Sequence, residues 1–297
     1  MIHKVSAPDS VELWRQRAKR WMVPIERHVW LYEFVVFGIK QAWSCVFGGL
    51  LLTVIIASAY WNPFPTIHRY DLIFIAAVVI QALLLITKLE SWAEARLILV
   101  FHFVATVMEL FKTAPGVQSW IYQGEALFQI GNVPLFAGFM YSAVGSYIAR
   151  AFRVFKMRCE HYPAAHYTLL LAALIYINFF SHHYIVDFRN VLLAAIVILF
   201  WRTRVYFVMV KSPRWMPLLL GWFLVAFFIW TAENIGTYTR AWSYPNQLQS
   251  WKMVSLHKLE AWFLLAYISW VLVGLVHKQA LYPSSGDEEK CTRDVRD

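Results

Sequence analysis

The chain predicts an all-α fold: a polytopic membrane helix bundle of about eight transmembrane helices. Three observations carry that reading. Apolar side chains make up 60% of the 297 residues and charged ones only 15%, far from the balance of a soluble domain. Eight stretches, near 41–60, 71–88, 94–111, 131–150, 166–182, 187–203, 215–234 and 256–277, approach the roughly 20 apolar residues that cross a bilayer. With both termini placed inside, 21 of the 27 Lys and Arg fall on the inside, leaving Arg69, Lys112, Arg189, Arg240, Lys252 and Lys258 outside. That asymmetry is the positive-inside pattern and predicts an N-in, C-in topology. It also accounts for the net charge of +9 as orientation and contact with anionic lipid, so no nucleic-acid partner is expected.

Residues 1–28 read as a cytoplasmic amphipathic lead-in, with Trp14, Trp21, Met22 and Val23 set among Arg15, Arg17, Lys19 and Arg20. Its basic residues precede acidic and aromatic ones and no short apolar core, so a removable signal peptide is not expected. Residues 29–282 form one transmembrane helical domain, because no polar stretch between the spans is long enough to fold separately. The first span ends at Tyr60 and Trp61, rings suited to the interface, before the turn residues Asn62 and Pro63. The second is nearly all aliphatic, with Gln81 as a helix-packing contact. A short hairpin of mixed charge, 88–96, leads into the third.

The third span sets His102, Thr106 and Glu109 on one stripe, since spacings of four and seven residues share a helix face. A carboxylate in hydrocarbon costs several kcal/mol unless it is paired, protonated or hydrated. Glu109 is therefore either a buried site residue or an interfacial group that meets Lys112. The fourth span opens around Asn132, Val133 and Pro134, proline being tolerated in a first turn. Gly131, Gly138 and Gly145 recur at seven, with Ala137, Ser142 and Ala143 nearby. Such a small-residue face lets backbones approach closely and predicts a central helix.

The fifth span runs from His166 to His182, and the turn beyond it gathers His182, His183, Tyr184, Asp187 and Arg189. The sixth ends at Trp201-Arg202, with 205–210 as an interfacial stretch before Ser212-Pro213 breaks the chain. The seventh ends with Glu233 and Asn234. Its loop, Trp242-Ser243-Tyr244, echoes the Ser119-Trp120-Ile121-Tyr122 that follows Glu109. Four spans separate the two, which fits a parallel pseudo-repeat of four plus four helices. The eighth opens with His257, Lys258 and Glu260, and residues 283–297 form a polar cytoplasmic tail that is expected to be disordered.

On this topology the unusual polar groups gather at the outer side, while the inside loops hold mostly Arg and Lys. Glu109 and Glu233 are the candidate acid–base pair, with His102 or His182 as partner. A desolvated carboxyl holds its proton near neutral pH, and a second titratable group takes it up. Trp120, Tyr122, Asn132, Asn234, Tyr244 and Asn246 are candidate substrate contacts. No cofactor is expected. The alternative is a divalent metal held by His182, His183, Asp187 or His257, although no HxxxH pair occurs and the HxxE of His257 and Glu260 sits at a helix mouth. Cys45, Cys159 and Cys291 lie too far apart in sequence to read as a disulfide framework or thiolate site.

Four strings, FKTAPGVQSW, GNVPLFAGFMYSAVGSYIARAFR, DFRNVLL and FFIWTAENIGTYTRAWSYPNQ, resemble the YoaT-like bacterial membrane proteins, a family of unknown function, along nearly the whole chain. That resemblance implies a bacterial inner (cytoplasmic) membrane location. A second likeness covers one hairpin. Glu109, Thr113, Gly116 and Tyr122, then Gly131, Val133, Pro134 and Leu135, are similar to the glutamate, glycine, tyrosine and Gly-Val-Pro-Leu pattern of membrane-bound carotenoid hydratases and small lycopene cyclases. Here Asn132 interrupts the last of these. Such enzymes protonate an isoprenoid double bond with an acidic side chain, so the likeness implies acid–base chemistry on a lipid or isoprenoid.

The expected partners are the lipid bilayer and a hydrophobic small-molecule or lipid substrate. The rival readings are a proton-coupled transporter or permease and a non-catalytic structural membrane protein. An enzyme predicts Glu109 and Glu233 within about 10 Å beside an apolar cleft. A transporter predicts a polar path toward the inner side, where the sequence offers few polar residues at depth.

Overall fold

A computed structural model describes residues 29–210 and 213–282. The lead-in over 1–28 and the tail over 283–297 lie outside the described residues. Helices dominate: α1 (Val29–Ser44), α2 (Val46–Tyr60), α3 (Arg69–Ile86), α4 (Trp92–Lys112), α5 (Phe136–Val154), α6 (Ala165–Ser181), α7 (Arg189–Phe200), α8 (Leu218–Tyr238), α9 (His257–Val276) and the short α10 (Lys278–Leu281). A helix stands in each of the eight predicted segments, α2 to α9 in order.

Those helices are not eight equivalent spans. Three of them, α3, α8 and α9, are long and apolar enough to cross a membrane, and α1 with α2, bent by 68° at Cys45, makes a fourth. The other four fall short for reasons visible in the sequence. α6 and α7 have 17 and 12 residues. α4 carries Glu94, Arg96, Glu109 and Lys112, while Gly, Ser, Tyr and Arg dilute the apolar character of α5. Burial explains how α5 tolerates this: much of its surface, from Phe136 to Phe152, is covered by other helices, and a helix covered by protein need not match hydrocarbon all round.

The fold also departs from all-α. β3 (Arg158–Glu160), β4 (Arg204–Val208) and β5 (Pro213–Pro217) form an antiparallel sheet with β4 in the middle. Residues 205–210, read from sequence as interfacial, thus begin as a strand. Val205 and Phe207 alternate inward, as a period of two requires, and Phe207 packs on Phe37 and Phe155. A second pair, β1 (Gln129–Ile130) and β2 (Val133–Pro134), closes through a two-residue turn with Gly131 at φ +57°. Asn132 and Pro134 therefore belong to a hairpin, and α5 begins only at Phe136.

Local signals position the ends of α4. Ser91 and Glu94 form a capping box, the Glu94 amide donating to Ser91 Oγ and the Ser91 amide to Glu94 Oε2, which satisfies two of the helix's free donors. At the other end the loop 113–132 is tied down from α3: both oxygens of buried Asp71 accept from the Leu127 amide, and Oδ1 also accepts from that of Phe128.

α5 is the centre of the bundle, packing most extensively on α4 and touching α1, α2, α3 and α9 as well. Its small-residue face makes the α4 contact possible. A Cβ at Gly138 would stand 2.4 Å from His102 Nδ1, and one at Gly145 would stand 2.7 Å from the Phe101 ring. On one side of α5 lies a core of Phe152, Ile175, Phe200, Trp222, Tyr267 and Trp270. On the other, Phe47, Leu51, Tyr70, Ile73, Phe136 and Phe139 fill the space toward α2 and α3.

Overpacking at the α4–α5 contact should be costly. Gly145→Val is expected to destabilise by about 1–3 kcal/mol, whereas Gly49→Val, with nothing within 4 Å of its Cβ position, should lose far less. Thermal unfolding in detergent measures both, and equal midpoints would refute this packing.

Candidate functional site

Glu109, in the last turn of α4, is 1% exposed. Three donors meet it. Tyr141 on α5 donates its hydroxyl to Oε1 at 2.7 Å, while Trp120 Nε1 and the Tyr122 hydroxyl donate to Oε2 at 2.8 and 2.9 Å. The loop after α4 thus folds back over the carboxylate that precedes it.

Glu233, in the last turns of α8, is 3% exposed and is met in the same manner. Tyr244, from the following loop, donates to Oε1 in a short bond, and Trp262 Nε1, from α9, donates to Oε2 at 2.7 Å. Each carboxylate therefore takes donors from its own loop, two for Glu109 and one for Glu233, and one from the next helix, 32 residues on for Tyr141 and 29 for Trp262.

The two halves meet. Ile121 and Ser243 exchange both backbone hydrogen bonds at 2.9 Å as an antiparallel bridge, so the Trp-x-Tyr segments of the two loops pair about their middle residues. The Trp120 ring stands edge-on to Tyr244 at 6.4 Å, and Tyr141 lies 6.2 Å from Trp262. Lys258, from the first turn of α9, sets its ammonium 4.4 Å from the centre of the Tyr244 ring and 5.4 Å from that of Trp120. It is within electrostatic reach of both carboxylates.

The donor inventory fixes where a proton can sit. An indole N–H only donates, whereas a phenol hydroxyl donates or accepts. Burial, reinforced by the neighbouring carboxylates, pushes the hydroxyls of Tyr122 and Tyr244 well above their ordinary range, so both keep their phenol protons. Glu109 Oε2 and Glu233 Oε2 are committed to tryptophans. Only Oε1 of each can carry a proton, handing it to or receiving it from Tyr141 and Tyr244. Beside Tyr141 lies a small apolar cleft of about 20 Å³, room for about one water, lined by Phe101, Met108, Tyr176, Leu265 and Leu272 among others.

The other predicted site residues stand elsewhere. His102 packs against Gly138 and 4.7 Å from the Phe139 ring, its Nδ1 buried without a hydrogen-bond partner among the described residues. His182 and His183 turn their Nε2 atoms to the Lys112 ammonium at 3.4 and 2.9 Å, and His182 Nδ1 donates to the Asn178 carbonyl. Asp187 accepts from Asn178 and pairs with Arg189. His257 is exposed and reaches only Glu260, at 3.7 Å. Among the described residues no three His, Cys, Asp or Glu side chains group to hold a metal ion, and a lysine ammonium already occupies the position both imidazoles face.

The asparagines serve the backbone. Asn234 bridges the Trp230 carbonyl and the Val254 amide. Asn132 reaches the Thr113 carbonyl at 3.5 Å from an exposed turn, and Asn246 is exposed.

Sequence reasoning missed Tyr141, Trp262 and the role of Lys258. The signal for the first two was the four-plus-four echo: carried past the loops, it sets an aromatic donor at matching depth on α5 and α9. A second polar group was also missed. Near the opposite end of α4, about 30 Å from Glu109 at 1.5 Å per residue, Glu90 accepts from Gln81, Ser146 and the fully buried Arg150. The inner half is thus less bare of polar groups than the sequence reading held.

Fold and site together define a mostly helical protein with three to four helices able to cross a membrane and a pair of buried carboxylates joined through aromatic donors. The chain belongs to the family described as Protein of unknown function (DUF817), whose model matches residues 33–270. It is 39% identical over 241 residues to the uncharacterized protein YoaT of Bacillus subtilis (strain 168), a match covering 81% of this chain and 90% of that one. No solved structure matches it. The family is the one that the four sequence strings resembled, while the carotenoid hydratase likeness remains confined to its hairpin residues.

The histidine cluster makes a pH prediction. Burial, with the Lys112 ammonium next in importance, pushes His183 down from 6.5 to about 4. Between those values the unfolded chain binds a proton that the folded chain does not, so stability falls as pH drops through that window. The melting midpoint should fall less steeply from pH 6.5 to 4 for His183→Gln than for the unaltered protein. Parallel curves would mean that the imidazole is fully solvated.

Proposed function

We propose that this protein is an integral membrane enzyme that performs acid–base chemistry on a lipid or isoprenoid at the outer half of the bilayer. The observation that carries the reading is the presence of two buried carboxylates, from helices far apart in sequence, whose two sets of aromatic donors pack against each other. Glu109 acts as the acid, passing its proton from Oε1 to the Tyr141 oxygen while the Tyr141 hydroxyl gives its own proton to a substrate atom. Glu233, with Tyr244, holds the complementary protonation state and takes a proton back. Lys258 offsets the negative charge of the pair, which otherwise costs too much in a poorly solvated site.

All eight helices α2 to α9 lie across the bilayer in this reading, the less apolar ones surrounded by the others, with both termini on the inner side. The inside excess of Lys and Arg supports that orientation. The pairing of Trp120-Ile121-Tyr122 with Trp242-Ser243-Tyr244 supports a parallel duplication of four plus four helices. Reporter domains fused at either terminus should both remain inside intact cells, and a protease-accessible fusion at either end would overturn the topology.

The test of the activity is a comparison of total lipid extracts from cells making the unaltered protein, Glu109→Gln or Glu233→Gln. A lipid species that appears with the unaltered protein and vanishes with both variants, while each variant still unfolds cooperatively, is the expected result. Identical lipid profiles would remove the enzymatic reading.

A second reading, proton-coupled transport, is favoured by the Gln81–Glu90–Ser146–Arg150 cluster, because it gives α5 buried polar groups at both ends. It predicts proton flux into liposomes that Glu90→Gln abolishes, and no change in the lipid profile.

A further inference from the structure

We infer that the corner between Trp120 and Tyr244 recognises a positively charged nitrogen, the head of an amphiphilic amine. The inference stands on the geometry of Lys258 and does not depend on the acid–base reading.

The ammonium of Lys258 has an unusual setting. It makes no hydrogen bond and no ion pair with any described residue. Instead it faces two rings, at 4.4 and 5.4 Å from their centres, that stand 82° apart as two walls of a corner. A compact ammonium normally spends its three donors on oxygen. A corner that meets a cation with ring faces, and with carboxylates behind the rings rather than in hydrogen-bond contact, is suited to a nitrogen without N–H donors, as in aromatic cages for quaternary ammonium groups.

The rings are backed by negative charge. Trp120 donates to Glu109 and Tyr244 to Glu233, which draws electron density toward the faces that the cation meets. Lys258 is the chain's own occupant of this corner, only half-buried and carried on a flexible four-carbon stem. Once it withdraws, two carboxylates remain behind the rings. The nearby cations are otherwise engaged: Arg189 pairs with Asp187 and Glu260, and Lys112 with the two histidines.

Binding to the purified full-length protein in a maltoside detergent tests this, with dodecyltrimethylammonium, dodecyl phosphate and dodecanol as probes and tetramethylammonium and neopentyl alcohol as charged and neutral competitors. The cationic probe should bind at least about tenfold tighter than the neutral one, the difference that desolvated cation–π contacts supply. Tetramethylammonium should displace it and neopentyl alcohol should not. Lys258→Met removes the internal competitor and should tighten the cationic probe about tenfold. Trp120→Leu should weaken it, with Trp120→Phe restoring part of the loss.

Tighter binding of dodecyl phosphate, equal binding of dodecanol, or a Lys258→Met variant that folds normally without gaining affinity would each overturn the inference. Cation binding with unchanged lipid profiles removes the enzymatic reading and leaves the recognition standing. A glutamate-dependent product without a charged nitrogen, formed by a protein that ignores the cationic probe, does the reverse.

Discussion

A carboxylate withdrawn from water must be met by donors, and that requirement organises the Glu109 end of this molecule. Glu109 and Glu233 cannot be buried at 1% and 3% exposure unless hydroxyl and indole groups replace the lost solvent. Both solve the problem alike, with aromatic donors from the following loop and from the next helix. Each glutamate therefore staples a helix, a loop and a returning helix into one unit. The loops then pair with each other through Ile121 and Ser243, and the two units share one aromatic wall. Chemistry, charge balance and loop conformation all follow from the same handful of hydrogen bonds.

The opposite end of α4 meets the same requirement with different means. Glu90 is neutralised by the guanidinium of Arg150 and receives Ser146 and Gln81 as further donors, giving a fixed ion pair. At the Glu109 end the neutralising group, Lys258, stands off over ring faces. One end is closed by an ion pair and the other by aromatic donors. α5 supplies donors to both, Tyr141 at one end and Ser146 and Arg150 at the other, because its glycines bring it close enough to α4 to reach them.

Two kinds of helix make up the bundle. α3, α8 and α9 are long and apolar enough to cross a membrane. α4 and α5 carry more polar residues, and they are the pair that supply Glu109 and Tyr141. Their buried polar groups are met by other protein groups rather than by water.

Much of this was legible along the chain. The eight helical segments, the close approach at Gly138 and Gly145, and the burial of Glu109 and Glu233 all follow from periodicity, composition and the cost of a buried charge. The echo of Trp-x-Tyr after each glutamate was visible as well. These are local properties, set by residues within a few turns of one another. What only the tertiary structure decided were the groups that arrive from elsewhere: Tyr141 and Trp262 on their carboxylates, Lys258 between the rings, Lys112 beneath the histidines, Arg150 beneath Glu90, and the strand pairing of Val205 and Phe207. Hydrogen bonds across 29 to 70 residues of chain depend on how helices pack, and packing is decided by the shape of all faces together, which no single stretch encodes.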